Sequence, residues 1–321
     1  MSETKSKRIL VTGGAGFIGS FVVDALLQSG IEVTVIDEFN DSYSPAIKRG
    51  NLAHALENPG FDLVEGDLCD PKILEEGFRI AAPDAVIHLA ARAGVRPSIL
   101  DPKLYFRVNC MGSLSLFEAC LRHRVARVVF ASSSSVYGEA ETVPFQETMR
   151  VDRPVSPYAG SKQAGELLAH TFASVHGMNI ACLRFFTVYG PRQRPEMAIH
   201  SFMRSIQNEE ELTVFGDGSS SRDYTYVSDI VRGILLALEK NRGFRIYNVG
   251  SGSPIQLLPL IDTIGEIIGK KPRLRWAPNQ KGDVSRTFAD VSRSQKELGF
   301  SPEMTLRSGL EAMYEWLSSK Q

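Results

Sequence analysis

The chain has 321 residues, 43% of them hydrophobic and 23% charged, enough to bury a full core in one large domain or two modest ones. Its formal net charge of −1 excludes a global electrostatic pull toward nucleic acid or an acidic membrane. Any binding surface therefore has to be argued residue by residue.

The amino terminus, Met1 to Arg8, is polar and runs straight into Ile9-Leu10-Val11. It has no apolar h-region or cleavage site, so neither a signal peptide nor a targeting segment is expected. No apolar stretch approaches membrane-spanning length. Cys69, Cys110, Cys120 and Cys182 are isolated and show no paired metal or redox spacing. They read as reduced side chains of a cytoplasmic protein with no metal centre.

Arg8–Thr12 reads as a buried strand, followed by Gly13-Gly14-Ala15-Gly16-Phe17-Ile18-Gly19 and a helix over Phe17–Ser29. Gly14, Gly16 and Gly19 match G-x-G-x-x-G, while Gly13, Gly16 and Gly19 match the G-x-x-G-x-x-G variant. In either register the glycines permit a sharp turn that brings backbone N–H groups to a pyrophosphate at the helix start. A second strand, Glu32–Ile36, is closed by Asp37. That carboxylate suits the two ribose hydroxyls of an adenosine and repels a 2′-phosphate, so NAD is expected rather than NADP.

The third strand, Phe61–Glu65, leads into Gly66-Asp67-Leu68. Asp67 either meets an adenine amino group or caps the helix that begins near Pro71. Further strands at Ala85–Leu89, Arg127–Ala131 and Ile180–Phe185 alternate with helices at Pro71–Arg79, Pro102–Arg122 and Pro157–His176. This alternation predicts an α/β fold, a Rossmann-type doubly wound parallel sheet.

Ser132-Ser133-Ser134-Ser135 closes the fifth strand, where four hydroxyls pack poorly but hold a polar ligand well. Downstream, Tyr158 and Lys162 lie four apart at the start of a helix and so share a face. A lysine ammonium stabilises a nearby phenolate, which lets a tyrosine serve as a general base near neutral pH.

After Phe186 the spacing loosens. The Gly/Ser/Asp-rich run Gly216–Ser221 precedes Arg222-Asp223-Tyr224, and helical patterns follow at Asp229–Lys240, Pro254–Ile268, Val291–Leu298 and Leu306–Ser319. The expected organisation is a cofactor domain over 1–186 and a smaller mixed α/β substrate lobe over 187–321. Elements around 225–250 are expected to return to the first domain.

With these residues in place, the chain resembles the extended short-chain dehydrogenase/reductase family. The resemblance spans essentially the whole length, through Thr12 to Gly19, His88-Leu89-Ala90-Ala91, Ser132 to Gly138, Ser156 to Lys162, Leu183 to Pro191 and Arg222-Asp223-Tyr224. It implies a catalytic trio. Ser133 would bond the reacting hydroxyl, Tyr158 would take its proton, and Lys162 would also hold the nicotinamide ribose. For NAD it implies Gly13, Gly16, Phe17, Ile18 and Gly19 at the pyrophosphate, Asp37 and Asn40 nearby, and Asp67 and Leu68 at the adenine. Leu89, Ala90, Ala91, Arg92, Asn109, Phe185 and Val188 would complete the cofactor path.

Dehydratases and decarboxylases of that family carry an acid after the strand-five serine or threonine, whereas this chain has Ser134 and Ser135, which cannot act as acids near neutral pH. Simple C4 oxidation and return of hydride to the opposite face, through a 4-keto sugar, is therefore expected. Ala91 to Arg96, the Asn40-Asp41-Ser42-Tyr43 loop and Arg184 to Ala198 resemble the UDP-glucuronate 4-epimerase group. Ser134, Ser135 and Thr187 would then grip the sugar carboxylate, at roughly 1.5–3 kcal/mol per hydrogen bond to the charged group.

For the UDP moiety, Arg222 is the foremost anion ligand, with Arg96, Arg192 and Arg194 as further cations. Asp283 and Arg286 close the nucleotide end or form a surface salt bridge. Met197, Phe202, Val214 and Phe215 flank a uracil or belong to the core. The resemblance also implies a homodimer through helices near Pro102–Arg122 and Pro157–His176. The alternatives are a UDP-glucose or UDP-N-acetylhexosamine 4-epimerase, with Thr287 leaving room for the larger sugar, a net NAD(P)-linked reductase, and a non-catalytic NAD-binding protein.

Overall fold

The computed structural model describes residues 7–280 and 282–320. In chain order the first part comprises β1 (Arg8–Thr12), α1 (Phe17–Gln28), β2 (Glu32–Asp37), α2 (Pro45–Asn51), α3 (Ala53–Leu56), β3 (Phe61–Glu65), α4 (Pro71–Ala81) and β4 (Ala85–His88). Next come α5 (Val95–Leu100), α6 (Pro102–Phe106), a π-helical segment Arg107–Gly112, α7 (Ser113–Arg122), β5 (Arg127–Ser133), a 3-10 turn Ser134–Tyr137, α8 (Pro157–His176) and β6 (Asn179–Phe185). The remainder holds β7 (Thr187–Tyr189), α9 (Ala198–Gln207), β8 (Glu211–Phe215), β9 (Ser221–Arg222), β10 (Tyr224–Tyr226), α10 (Val227–Lys240) and β11 (Phe244–Val249). It ends with β12 (Ile255–Gln256), α11 (Leu257–Ile268), β13 (Arg273–Ala277), α12 (Ser292–Leu298) and α13 (Leu306–Ser318).

Seven strands form one parallel sheet in the order β11-β6-β5-β4-β1-β2-β3. Its strands β1, β2 and β4 are rich in β-branched residues and buried on both faces, as a sheet covered by helices on each side requires. The order reverses beside β1, so the carboxyl ends of β1 and β4 diverge and open a crevice there. One apolar cluster on each face supplies the core. Gly165 lets α8 lie directly on β5, because a Cβ there would stand 2.4 Å from the Phe130 ring.

The rest of the chain builds a further cluster around Tyr189, Ile199, Met203, Leu212, Val214 and Leu260. There β8 and β13 pair in parallel, and two shorter ladders, β7–β10 and β9–β12, stitch the connections. The strand β11 pairs with β6 at the edge of the main sheet, and α10 packs into the cluster that holds α1.

Several boundaries differ from the sequence-based expectation. The single helix over Pro102–Arg122 is interrupted by the π-helical turn, a device frequent at functional sites. The strand β5 runs on to Ser133, so the serine tract straddles strand and turn. The helix expected from Pro254 begins at Leu257, because Ile255-Gln256 pairs with Ser221-Arg222 instead.

Candidate active site

The glycine turn forms the floor of a cleft of about 400 Å³ at the carboxyl ends of β1, β2, β4, β5 and β6. Gly13 has φ +73°, and a Cβ on it would lie 2.7 Å from the Ala90 nitrogen. A Cβ on Gly19 would lie 2.1 Å from the Gly13 carbonyl oxygen. Both positions thus depend on having no side chain. The start of α1 at Gly16 has no side-chain cap and no acid in its first turn, which leaves the positive helix end to an anionic ligand. Gly16, Phe17 and Ile18 line the cleft beside it.

Asp37 ends β2, is buried, and accepts hydrogen bonds from the Ala15 N–H (3.0 Å) and the Phe39 N–H (2.9 Å). Burial raises its pKa, and those two donors with the Lys48 charge offset part of the rise. Asn40 accepts from the Lys48 ammonium through both its backbone carbonyl and its side chain, at 2.6 and 2.9 Å. Leu68, Leu89, Ala90, Ala91, Phe185 and Val188 complete the apolar walls. Asp67 faces the cleft but pairs with Arg107 at 2.7 Å, and it is Asp70 that caps α4. A glycine-floored, uncapped helix start facing a buried carboxylate fits the pyrophosphate and adenosine ribose of NAD.

Two expected members of this path stand behind it. Asn109, 2% exposed, accepts from the Arg92 N–H and donates to the Arg92 carbonyl and to the Ser161 hydroxyl. It braces the loop after β4 rather than lining the cleft. Arg92 turns to Glu38, 3.2 Å away. Lys48, a cleft residue that the pattern did not single out, lies on α2, which is too short to leave a periodic signal; Tyr43, in the loop before it, also lines the cleft.

At the other end of the cleft stand Ser133, Ser134, Ser135, Tyr158, Lys162 and Thr187. Ser156 caps α8 through the Ala159 N–H, and Pro157 fills its first turn, which fixes where Tyr158 emerges. The Ser135 N–H donates to the Ser133 hydroxyl at 3.1 Å, and the two hydroxyls are also 3.1 Å apart. The Lys162 ammonium donates to the Ala131 carbonyl at 2.7 Å, and burial pushes its pKa down to about 8. Burial raises the Tyr158 phenol, against which the Ser133 hydrogen bond and the Arg194 charge act. Arg194 and Met197 close this end of the cleft.

A second cavity of about 960 Å³ adjoins it at Thr187 and is lined by Arg96, Phe215, Arg222, Asp283 and Arg286 among others. The expectations for these residues need correction. Arg222 spends its guanidinium on the carbonyls of Ser221, Val284 and Ser285, so it fastens the 284–285 backbone instead of standing free for an anion. Asp283 and Arg286 do not pair with each other. Asp283 bridges to Arg96 at 2.7 Å, and Arg286 donates to the Glu141 carbonyl. Arg96 also lies over the Phe215 ring, 5.1 Å from its centroid. Val214 is fully buried because strand alternation turns it, with Leu212, into the core and leaves Phe215 on the cavity side. Arg192 pairs with Asp24 of α1 at 2.7 Å and lines neither cavity. Thr287 is buried and accepts from the Asp223 N–H.

With this geometry established, comparison with known proteins is informative. A family model for the NAD dependent epimerase/dehydratase family matches residues 9–250. The UDP-glucuronate 4-epimerase of Thermodesulfobacterium geofontis is 40% identical over 308 residues, covering 96% of this chain and 95% of that one. The crystal structure of UDP-glucuronic acid 4-epimerase from Bacillus cereus, in complex with UDP-glucuronic acid and NAD, superposes with a TM-score of 0.91 at 36% identity. It covers 98% of this chain and 99% of that one. UDP-glucose 4-epimerase from Thermotoga maritima, solved with UDP-glucose, gives a TM-score of 0.90 at 35% identity over 97% and 99% of the two chains.

Proposed function

The chain belongs to the NAD-dependent epimerase/dehydratase family, and from that premise we propose that it interconverts UDP-glucuronate and UDP-galacturonate by inverting C4. The observation that carries this reading is the turn after Ser133. It presents the hydroxyls of Ser134 and Ser135, with Thr187 opposite in the same cleft, where elimination chemistry would need a carboxylic acid. The relatives from Thermodesulfobacterium geofontis and Bacillus cereus support the same substrate.

NAD, held by the glycine turn, Asp37 and Lys162, would supply the hydride acceptor and donor for C4 on opposite faces of the sugar. Asp37 takes the ribose hydroxyls of its adenosine and excludes a 2′-phosphate. Leu68 and Asp67 flank the adenine, and Lys162 holds the nicotinamide ribose. Ser133 hydrogen-bonds the C4 oxygen. With NAD bound, the Lys162 ammonium and the nicotinamide cation would favour the Tyr158 phenolate, whose Oη would take the C4 hydroxyl proton as the oxidation proceeds and give it back on reduction. The intervening 4-keto glucuronate is a β-keto acid, which loses CO₂ when its carboxylate stands perpendicular to the carbonyl plane. Hydrogen bonds from Ser134, Ser135 and Thr187 hold that carboxylate in a safe orientation. Arg194, which lines this end of the cleft beside its exposed partner Glu196 3.3 Å away, supplies a cation there, which matches a carboxylate better than a hydroxymethyl group. The second cavity takes the UDP, with Phe215 near the uracil and Arg96 and Arg286 at the diphosphate, while Arg222 holds the 284–285 backbone that walls it.

Resolving the products formed from UDP-glucuronate, UDP-glucose and UDP-N-acetylglucosamine tests the substrate. Turnover of UDP-glucose without turnover of UDP-glucuronate refutes it. A stoichiometric change at the reduced-nicotinamide absorbance band would instead mark a net reductase. Tyr158→Phe tests the mechanism. Turnover is expected to collapse with NAD binding retained, and an unchanged rate eliminates the assigned role.

We also propose a homodimer. Met111 (56% exposed), Leu167 (65%) and Val175 (68%) stand open on the neighbouring α6–α7 run and α8, and light scattering measures the mass directly. No helix among the described residues is long and apolar enough to cross a membrane. The four cysteines are free thiols, which supports a cytoplasmic setting.

A further inference from the structure

The inner face of α8 carries Tyr158, Lys162 and Glu166, each one turn beyond the last. The first two belong to the proposed reaction. Glu166 lies deeper, with its side chain 6% exposed, against Arg184, which is 2% exposed. One carboxylate oxygen accepts from the Ser132 hydroxyl at 2.5 Å and from Arg184 Nε at 2.9 Å, and the other accepts from Arg184 Nη2 at 2.7 Å. Arg184 stands opposite Ser132 in the β5–β6 register, and its guanidinium lies 4.7 Å from the centroid of Tyr137, the last residue of the turn that carries Ser134 and Ser135.

The serine tract is therefore held on both sides. Lys162 grips the carbonyl of Ala131 and Glu166 grips Ser132 before it, while Arg184 supports Tyr137 after it. We propose that Glu166, through its ion pair with Arg184, is a positioning residue that sets where Ser133, Ser134 and Ser135 stand relative to Tyr158 and Lys162. A buried ion pair of this kind adds little net stability over an apolar pair of equal volume, whereas here it ties strand, turn and helix together at the reacting end of the cleft.

The same carboxylate acts on Lys162. The ammonium is faced by His88 from β4, Cys110 from the π-helical segment, the Phe130 ring and Ala131 carbonyl from β5, and Cys182 from β6. Cys110 and Cys182 pull Lys162 back toward its protonated form more than Glu166 does, and Glu166 is the carboxylate among the three. Removing it makes the ammonium lose its proton at lower pH.

Two variants test the proposal, which rests on the C4 reading above. Glu166→Gln keeps an acceptor for Ser132 and Arg184 but removes the charge. The pair Glu166→Leu with Arg184→Met removes both charges and strands neither, so it keeps the test open if the first variant does not fold. In the cofactor-loaded enzyme, both should lower kcat by about tenfold or more, while the KM for UDP-glucuronate, which the nucleotide contacts also hold, should change by less than kcat does. In Glu166→Gln the high-pH limb of kcat should move to lower pH, and the titration of Lys162 Nζ, followed by NMR on lysine-labelled protein, should move with it; in the double variant, which also removes the Arg184 charge, both should move less. A folded variant with wild-type kcat, limb and Nζ titration overturns the proposal. So does a loss of activity in which the Nζ titration stays put and KM rises in step. The Nζ titration needs no turnover, so failure of the C4 reading in Tyr158→Phe remains distinguishable from failure here.

Discussion

His88 offers a quantitative test of how the cofactor floor is built. Its Nδ1 lies 2.7 Å from the Thr12 hydroxyl and its Nε2 lies 3.0 Å from the Ser113 hydroxyl, which in turn donates to the Asn109 carbonyl. With the Ser113 proton committed, Nε2–H donates to Ser113 and Nδ1 accepts from Thr12, so the ring is neutral. Burial pushes its pKa from 6.5 down to about 3. Between those values the unfolded chain binds a proton that the folded chain refuses, so folding stability falls as pH drops through this window. At about 1.4 kcal/mol per pH unit, lowering the pH from 7 to 4.5 should cost about 3 kcal/mol from this residue alone. His88→Asn replaces the ring with an uncharged donor and acceptor. It should lose roughly 1–3 kcal/mol at pH 7 from imperfect hydrogen bonding, yet escape the acid-dependent term. The stability gap between wild type and variant, measured by urea unfolding at both pH values, should therefore shrink or change sign at pH 4.5. Carboxylates titrate in both proteins and cancel in the difference. A gap of the same size at the two pH values would refute the neutral, buried imidazole.

Four further outcomes are expected. Gly19→Ala places a Cβ against backbone atoms of Gly13 and Gly14, so NAD binding to cofactor-free protein should weaken on the order of 10–100-fold by calorimetry. Asp37→Gly removes the carboxylate facing the ribose and should narrow the preference for NAD over NADP in the same titration, while an unaltered ratio contradicts its role. Ser134→Ala or Ser135→Ala should each lower kcat/KM for UDP-glucuronate by roughly 10–150-fold, the equivalent of one hydrogen bond to a carboxylate. UDP-glucose should suffer less, and equal losses on both sugars would remove the carboxylate grip. Because Lys162 gives up its proton near pH 8, kcat should decline above that value, and a profile flat to pH 9 is inconsistent with a required ammonium.

Much of this protein is legible in short stretches of sequence. The glycine turn between β1 and α1, Asp37 at the end of β2, the serine tract after β5 and the Tyr158–Lys162 pair on α8 each follow from local rules. Those rules are strand alternation, helical spacing and the steric freedom of glycine, and they need no knowledge of distant partners. The parallel sheet follows from the same alternation, and its carboxyl-end crevice follows from the sheet.

Side chains whose partners lie far along the chain were the ones local pattern could not place. Arg222 carries the same charge whether it meets a phosphate or the carbonyls of Val284 and Ser285, 62 and 63 residues away. Arg192 finds Asp24 across 168 residues, and Arg96 finds Asp283 across 187. Val214 and Phe215 are adjacent apolar residues, and only the packing of β8 against α9 and α11 decides which is core and which is cavity wall. Asn109 likewise gains its role from a π-helical turn that spacing alone would have drawn as ordinary helix. Periodicity records which face of an element is buried. Which polar group a buried or cleft-facing charge meets is settled when separate segments pack, because the cost of leaving that group unpaired is incurred only there.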